Sequence, residues 1–265
     1  MPVLGELNLI DDYYQFARLK SNACHTGHLD LSNETWFYPT SLLPLGIFKM
    51  KNPEIRVTRP KDAAVCNYFD IITRYREIMP RKSYIPIINM PKCEDERDKA
   101  LEQLNDFCST HVGGKTAFLY FIGELVDNIY EHSSFSTAYI MAQKYEAKGF
   151  TEVCIIDDGI SIPKSYENTG IKVNSDKHAL ELALMGMSTK VDKERGHGLR
   201  SSVRLITEGY QGTCFIVSGN GVLEANNYIG KTFSSIDEER VYSGTLISTR
   251  LPFQRGDVNV YDYVE

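Results

Sequence analysis

The stretch "FIGELVDNIYEHS", residues 121–133, combines an apolar stripe with a row of polar side chains at every fourth position. The stripe consists of Ile122, Leu125, Val126 and Ile129. This spacing predicts an amphipathic helix in which Glu124, Asn128 and His132 share one face. A solvated helix face is the simpler interpretation of such a row. The row also suits catalysis, because a carboxylate can activate an attacking hydroxyl and an amide oxygen one turn away can ligate phosphate-bound magnesium.

The regions on either side of this helix predict an α+β fold. Helical patterns cover about 95–110 and 115–132, and others lie near 176–187 and after Gly198. Five strand-like runs accompany them: "STAYIMAQKY", "FTEVCIID", "GTCFIVSG", "GVLEANNYI" and "GTLISTRLPF". Helices followed by strands with short turns indicate a sandwich in which helices cover one face of a mixed sheet.

A proline and a run of charged residues at 89–99, "NMPKCEDERDK", separate two differently organised halves and predict a domain boundary. We therefore expect a small α/β domain over 1–92 and a second domain over 93–265. The first half alternates short apolar runs ("GHLDLS", "EIRVT", "YIPIINM") with helical patterns ("SLLPLGIFKM", "AAVCNYFDIITRYREI").

Composition narrows the classes of partner. The chain has 265 residues and a formal net charge of −6, without a run of basic residues, so we expect neither nucleic-acid nor membrane-surface binding. The start "MPVLGELNLIDDYY" lacks the basic residues of a signal peptide, and the most apolar run is too short to span a bilayer. We expect a cytoplasmic protein.

The six cysteines form no C-x-x-C pair, which favours reduced thiols over disulfides. The cluster "CHTGH" (Cys24, His25, His28) could ligate a metal, but no second ligand pair of zinc-site spacing follows it. A polar loop is the simpler interpretation of this cluster.

The segment "VCIIDDGISIP", residues 153–163, runs from an apolar strand into an Asp-Asp-Gly turn. Asp157, at the end of the strand, can accept a hydrogen bond from an exocyclic amine, and Gly159 permits close approach by a flat base. A simple β-turn explains the same residues equally well.

The segment "MSTKVDKERGHGLRSSVRLI" places a charged loop and two glycines before an amphipathic helix. Free backbone N–H groups at a helix N-terminus bind phosphate well. Nearby side chains could add charge or hydrogen bonds: Lys190, Arg195, His197 and Arg200. A flexible solvated loop is the alternative interpretation.

Taken in order, these motifs resemble the GHKL superfamily of ATP-binding proteins, which includes gyrase, MutL proteins, histidine kinases and anti-sigma-factor serine kinases. The segment "ELVDNIYEH" is similar to the N box, "DDGISIP" to the first glycine box, "GHGL" to the second, and "SGTLISTRLPF" to the closing Gly-Thr strand. The resemblance covers roughly 95–253 and implies the Bergerat α/β sandwich, with the anti-sigma-factor kinases nearest in style.

The resemblance also implies roles for individual residues. Glu124 would be the general base, Asn128 the magnesium ligand, Asp157 the acceptor for the adenine amino group, and Gly159 the residue against the base. Residues 188–198 would form a lid over the triphosphate. The remaining ATP-binding set that it implies is Ile162, Lys190, Gly196, His197, Gly198, Leu199, Arg200 and Thr245. One departure is Ser161, where many relatives have a second glycine.

The N-terminal half has a weaker resemblance. The segment "HLDLSNETWFYPTSLLPLGIF" looks like the STAS fold of anti-sigma-factor antagonists, which would place Thr40 or Ser41 near their phosphorylatable serine. Tyr38 stands where those proteins have an aspartate, and Pro39 is unusual there. A generic α/β domain is the alternative.

These features leave three functions open. The first is a regulatory Ser/Thr kinase or nucleotide-dependent switch with ATP and Mg²⁺ as cofactors and a regulatory protein as partner. The second is an ATPase whose nucleotide state drives assembly, and the third is a non-catalytic ATP/ADP sensor. Only twelve residues follow "RLPF", which favours the kinase because gyrase and MutL relatives carry a further domain. Homodimerisation stays open.

Overall fold

The computed structural model describes residues 8–73, 83–109, 111–187 and 198–264. Within these ranges the α-helices are α1 (Leu9–Thr26), α2 (Pro39–Lys51), α3 (Ala63–Thr73), α4 (Glu94–Cys108), α5 (Lys115–His132), α6 (Ile162–Asn168), α7 (Asp176–Leu184) and α8 (Gly198–Arg204). The strands are β1 (His28–Asp30), β2 (Arg56–Thr58), β3 (Tyr84–Asn89), β4 (Ala138–Tyr145), β5 (Phe150–Asp157), β6 (Thr213–Gly219), β7 (Gly221–Asn226), β8 (Gly230–Ser235) and β9 (Tyr242–Pro252). Single helical turns cover Glu146–Lys148, Leu205–Gly209, Glu238–Arg240 and Val260–Asp262.

Seven of the strands form one sheet in the order β3-β4-β5-β9-β6-β7-β8. The α+β class is therefore confirmed, but every pairing in this sheet is antiparallel, and the prediction of a mixed sheet is wrong in that respect. Short connections explain part of the difference: β4–β5, β6–β7 and β7–β8 are neighbours joined by tight turns, and such neighbours must run in opposite directions. One such turn joins β4 to β5 and ends at Gly149, whose φ of +72° suits glycine.

Helices cover both faces of this sheet, whereas the sequence predicted one. Side chains alternate along β5: Val153 and Ile155 join the core under α4, α5 and α8, while Cys154 and Ile156 join the core under α1, α2 and α3. All eight residues of β5 are buried, because each alternate set has its own helical layer. We refer to α1, α2 and α3 as the N-terminal layer.

The helix α1 was not predicted, although its buried residues recur at helical spacing: Leu9, Tyr13, Phe16, Ala17, Leu19 and Ala23. Its last turn includes Cys24 and His25, which the sequence placed in a polar loop. Gly27 ends the helix in the left-handed conformation, and His28 then bonds through Nε2 to Thr58 Oγ1 at 2.8 Å. Among the described residues, no group of histidines, cysteines and carboxylates could hold a metal ion.

The predicted domain boundary at 92/93 falls just after a strand of the large sheet. β3 lies before the boundary, yet it pairs with β4, and its Ile85 and Ile88 pack in the core that contains α5. The division into two domains stays a prediction, but residues on both sides of the boundary share one sheet and its cores.

The region that resembles a STAS domain contains a two-stranded parallel sheet, β1 with β2, of three residues per strand. Thr40 and Ser41 lie in the first turn of α2 and are fully buried. Thr40 Oγ1 donates to Glu152 Oε1 at 2.7 Å, and Ser41 Oγ donates to the Tyr38 carbonyl at 3.0 Å. Neither hydroxyl is accessible to a kinase in this conformation.

A buried ion pair joins the N-terminal layer to the centre of the sheet. Arg250 on β9 and Glu152 on β5 are cross-strand partners, and Arg250 Nε lies 2.6 Å from Glu152 Oε2. The guanidinium also pairs with Asp12 of α1 and stacks 4.4 Å from the ring centre of Tyr38. Burial opposes the charge of Arg250, but the two carboxylates outweigh this effect and raise its pKa.

All six cysteines are free, as predicted, and Cys108, Cys154 and Cys214 are buried. Burial raises the pKa of each of these three thiols, so they act as small apolar side chains. No helix in the described ranges has the length and apolarity needed to cross a bilayer.

We predict that Glu152→Gln destabilises the protein by about 3 kcal/mol, because removing one member of a buried pair leaves the other charge without full compensation. Urea unfolding would measure the change. The control is Lys164→Met, which removes the exposed pair between Lys164 and Glu167 and should leave the stability almost unchanged. Equal stability of the two variants would contradict a structural role for the Glu152–Arg250 pair.

Candidate functional site

An open cleft lies between α5, α6, α7 and the first turn of α8. The floor is the sheet, represented by Asp157, Thr245 and Ile247. Within the described ranges the lining residues are Leu125, Asn128, Ile129, His132, Ser133, Asp157, Ile160, Ser161, Ile162, Ser165, Tyr166, Ala183, Met187, Gly198, Leu199, Thr245 and Ile247. A mainly apolar wall with a few polar groups is typical of a small-molecule site.

Asp157 is the buried carboxyl of this cleft. It is the last residue of β5, it pairs with Thr245 of β9, and it is 1% exposed. Its Oδ1 accepts a hydrogen bond from the Gly159 N–H at 2.8 Å, whereas its Oδ2 has no hydrogen-bond partner in the described structure. Burial raises the pKa of Asp157 to about 7, against the lowering effects of hydrogen-bonding groups on Gly159, Ser133 and Thr245. An unpaired buried oxygen is costly, so a donor from a ligand that reached Oδ2 would stabilise it.

A chain of hydroxyl contacts fixes the floor beside Asp157. Ser218 Oγ bonds to Thr245 Oγ1 at 2.9 Å and accepts a hydrogen bond from the Ile162 N–H at 2.8 Å. The first contact follows from register, because β6 pairs Ser218 with Thr245. The sequence analysis missed Ser218, although it lies at the polar end of the run "GTCFIVSG" in the same way that Asp157 ends its own strand.

Gly159 is required by a close backbone contact. A Cβ atom at this position would lie 2.1 Å from the Ser133 carbonyl oxygen, a distance that no side chain tolerates. The same carbonyl accepts a hydrogen bond from the Ile160 N–H at 2.6 Å. Gly159 therefore joins the loop after β5 to the end of α5, and the cleft-lining residue beside it is Ile160. Its predicted contact with a base stays a prediction.

Glu124 and Asn128 lie one turn apart on α5, as predicted. The Asn128 Nδ2 donates to the Glu124 carbonyl oxygen at 2.8 Å, which orients the amide, and Asn128 lines the cleft. Glu124 does not line the cleft but lies against Gly198, where a Cβ atom would be 2.0 Å from Glu124 Oε2. A side chain at 198 would therefore displace the Glu124 carboxylate from this position.

The remaining predicted residues divide into three groups. Ile162, Leu199 and Gly198 line the cleft. Arg200 lies on α8 but outside the lining. Lys190, Gly196 and His197 lie outside the described residues.

One lining element, α6, was not predicted. The helix α6 begins at Ile162 with Ser161 as its cap, whose Oγ accepts from the Lys164 N–H at 3.4 Å, so the serine that departs from the glycine box supports a helix. The Tyr166 hydroxyl donates to the Met187 carbonyl oxygen and links α6 to the segment after α7. The Ser-Ile-Pro order at 161–163 is the sequence signal for this helix start.

We predict that Asp157→Asn makes the ligand-free protein more stable above pH 7. A folded-state pKa of about 7 against an ordinary 3.8 means that Asp157 favours folding while it is protonated, and this contribution disappears as pH rises through 7. The stability gain of the variant is at most about 4 kcal/mol, since one pKa unit is about 1.4 kcal/mol. Thermal unfolding from pH 4 to pH 8 would measure it. A difference in Tm that does not grow with pH would contradict the assignment.

The comparisons give no relative from which the chemistry of this cleft could be taken: no family model, no curated protein and no solved structure matches the chain. The chemical interpretation depends on the residues of the chain and on their geometry.

Proposed function

We propose that this chain is a GHKL protein with a Bergerat-type sandwich and that it binds Mg-ATP in the cleft under α5. The single observation that carries the proposal is Asp157, a buried carboxyl on the cleft floor with an unpartnered Oδ2. Adenine presents an exocyclic amine that suits this acceptor. The two helical residues that the N-box resemblance names lie beside the same cleft.

The adenine end of the proposed site combines one acceptor with apolar walls. Asp157 would accept from the amino group, and a charged acceptor makes a stronger hydrogen bond than a neutral one. Leu125, Ile162 and Ile247 would contact the faces and edge of the base. Guanine carries a carbonyl in place of the amine, so a carboxylate at this position would repel it. We therefore propose selectivity for adenine.

The other end of the cleft suits a polyphosphate. Asn128 lines the cleft and its amide nitrogen donates to the Glu124 carbonyl, which would leave the amide oxygen for a ligand. Magnesium would bind there through this oxygen and the phosphates, and would supply charge neutralisation. Gly198 and Leu199 form the adjacent wall, so backbone without a Cβ atom faces this end.

Glu124 is the residue that we propose for the chemical step. Its carboxylate lies next to Gly198, which lines the cleft, and Glu124 precedes the cleft-lining Asn128 by one turn of α5. A carboxylate there would accept the proton of an attacking hydroxyl, while ATP supplies the γ-phosphoryl group. A protein Ser or Thr hydroxyl would make the chain a regulatory kinase or switch, and water would make it an ATPase.

We predict that the wild-type protein binds Mg-ATP and that Asp157→Asn weakens binding at least about tenfold, because one charged hydrogen bond contributes about 1.5–3 kcal/mol. Calorimetry would measure both affinities. The wild-type affinity should also fall below pH 7, where Asp157 takes up a proton, and the variant should lack this dependence. The exposed Asp237→Asn is the matched control. Equal affinities of the folded Asp157→Asn protein and the wild type would refute the adenine assignment.

We predict that Glu124→Ala retains Mg-ATP binding and loses phosphoryl transfer by about 10²–10⁴-fold, the usual contribution of a positioned general base. Incubation with γ-labelled ATP would measure transfer to protein and release of phosphate separately. Glu102→Ala, an exposed glutamate of α4, is the control on a helix outside the cleft. Label on protein supports the kinase, and free phosphate supports the ATPase. Binding with neither product in the wild type would contradict catalysis and leave the sensor.

A further inference from the structure

Asp158, the neighbour of Asp157, connects two loops at the base-recognition end of the cleft. Its Oδ1 accepts hydrogen bonds from the Ser136 N–H at 2.9 Å and the Thr137 N–H at 2.7 Å, and its Oδ2 accepts one from Thr137 Oγ1 at 2.7 Å. The Asp158 N–H in turn donates to the Thr137 carbonyl at 3.1 Å. Asp158 therefore clamps the loop before β4 to the loop after β5.

The fourth contact of this carboxylate comes from the opposite side of the sheet. Lys51, the last residue of α2, lies with its Nζ 2.7 Å from Asp158 Oδ2. Burial acts to raise the pKa of Asp158, but the hydrogen bonds from Lys51 and Thr137 outweigh it and lower the pKa to about 2. Asp158 is thus charged throughout the working pH range, in contrast to Asp157.

The helix that carries Lys51 is firmly placed. Nine residues of α2, Pro39–Ile47, are buried, and its first turn is bonded to Glu152 through the Thr40 N–H at 2.8 Å. A helix fixed at one end by a buried ion pair presents its other end at a defined position. Movement of α2 would therefore pull on Asp158, which is covalently joined to Asp157.

We propose that Lys51 and Asp158 form a positioning pair through which the N-terminal layer sets the affinity of the cleft for the adenine end of a nucleotide. This inference rests on the proposed function, because it names how that same site is regulated. Neither residue lines the cleft, so both act through the loops that hold Asp157, Ser133 and Ile160 in place.

The expected magnitudes differ for the two residues. The ion pair is partly exposed, with Lys51 47% and Asp158 23% accessible, so Lys51→Met should weaken ATP binding only about threefold. Lys51→Arg keeps the charge and should restore affinity to within about twofold. Asp158→Asn removes acceptor capacity for both Lys51 and Thr137 and should weaken binding about tenfold.

Calorimetry with ATP and with AMP shows whether a variant weakens binding of the base or binding of the β- and γ-phosphates, because AMP lacks these two phosphates. Loosening of the loops that Asp158 joins should reduce the affinity for both nucleotides by the same factor, and this equality is the expected result. The control is Lys115→Met, which removes the exposed pair with Asp106 at the start of α5, about 27 Å from the loop that follows this helix. Its nucleotide affinities should equal those of the wild type.

Amide hydrogen exchange tests the proposal without a nucleotide. The amides of Ser136 and Thr137 should exchange several-fold faster in Lys51→Met than in the wild type or Lys115→Met, since their acceptor is held less firmly. Unchanged exchange, or a nucleotide effect no larger than that of the control, would overturn the positioning role. Loss confined to ATP would overturn it as well. Failure of the wild type to bind either nucleotide would instead refute the proposed function. In that case the exchange rates of the Ser136 and Thr137 amides would still test whether Lys51 holds the loop in place.

Discussion

The buried pairing of Arg250 with Glu152 is the interaction on which the layered arrangement depends. These residues are directly opposed on the two central strands, where water cannot solvate them, so each of their polar atoms needs a partner from the protein. Thr40 supplies two donors to Glu152, and Asp12 supplies an acceptor to Arg250. The N-terminal layer thus completes the sheet chemically as well as by apolar contact. An α1 or α2 placed elsewhere would leave buried charge uncompensated.

Strand β5 carries two buried acidic residues that differ in their hydrogen bonding. Glu152 has its hydrogen-bond partners within the chain, whereas Asp157, five residues further along β5 and on the other face, keeps one oxygen without a partner. A buried carboxyl with an unpartnered oxygen lowers the stability of the ligand-free protein. Such a destabilising group is expected where ligand binding requires it. The contrast between the two carboxyls is the main physical reason to locate function at the end of β5.

Local sequence patterns predicted the helices and strands that have a regular apolar periodicity of their own. The helix α5 and the strands β4, β5, β6, β7 and β9 follow from apolar periodicity, and the shared face of Glu124 and Asn128 follows from the 3.6-residue turn. The pattern missed α1, whose apolar stripe is interrupted by polar residues. It also gave no sign that β3, just before the predicted boundary at 92/93, pairs with β4 some fifty residues later in the chain. Pairing between strands that are distant in the chain does not alter the local residue pattern of either strand, so the sequence pattern does not reveal it.

The sequence by itself determined which residues have chemical capacity: the carboxylate and amide on one helix face, the acid at the end of an apolar strand, and the glycines that precede α8. Only the tertiary structure decided which of these meet. Antiparallel register brings Thr245 beside Asp157 and Ser218 beside Thr245, and the packing of α8 on α5 brings Gly198 against Glu124. It also buried Thr40 and Ser41, which the STAS-like resemblance would place near a phosphorylatable serine. Residue type fixes what a side chain can do, whereas burial and register fix whether a ligand or partner can reach it.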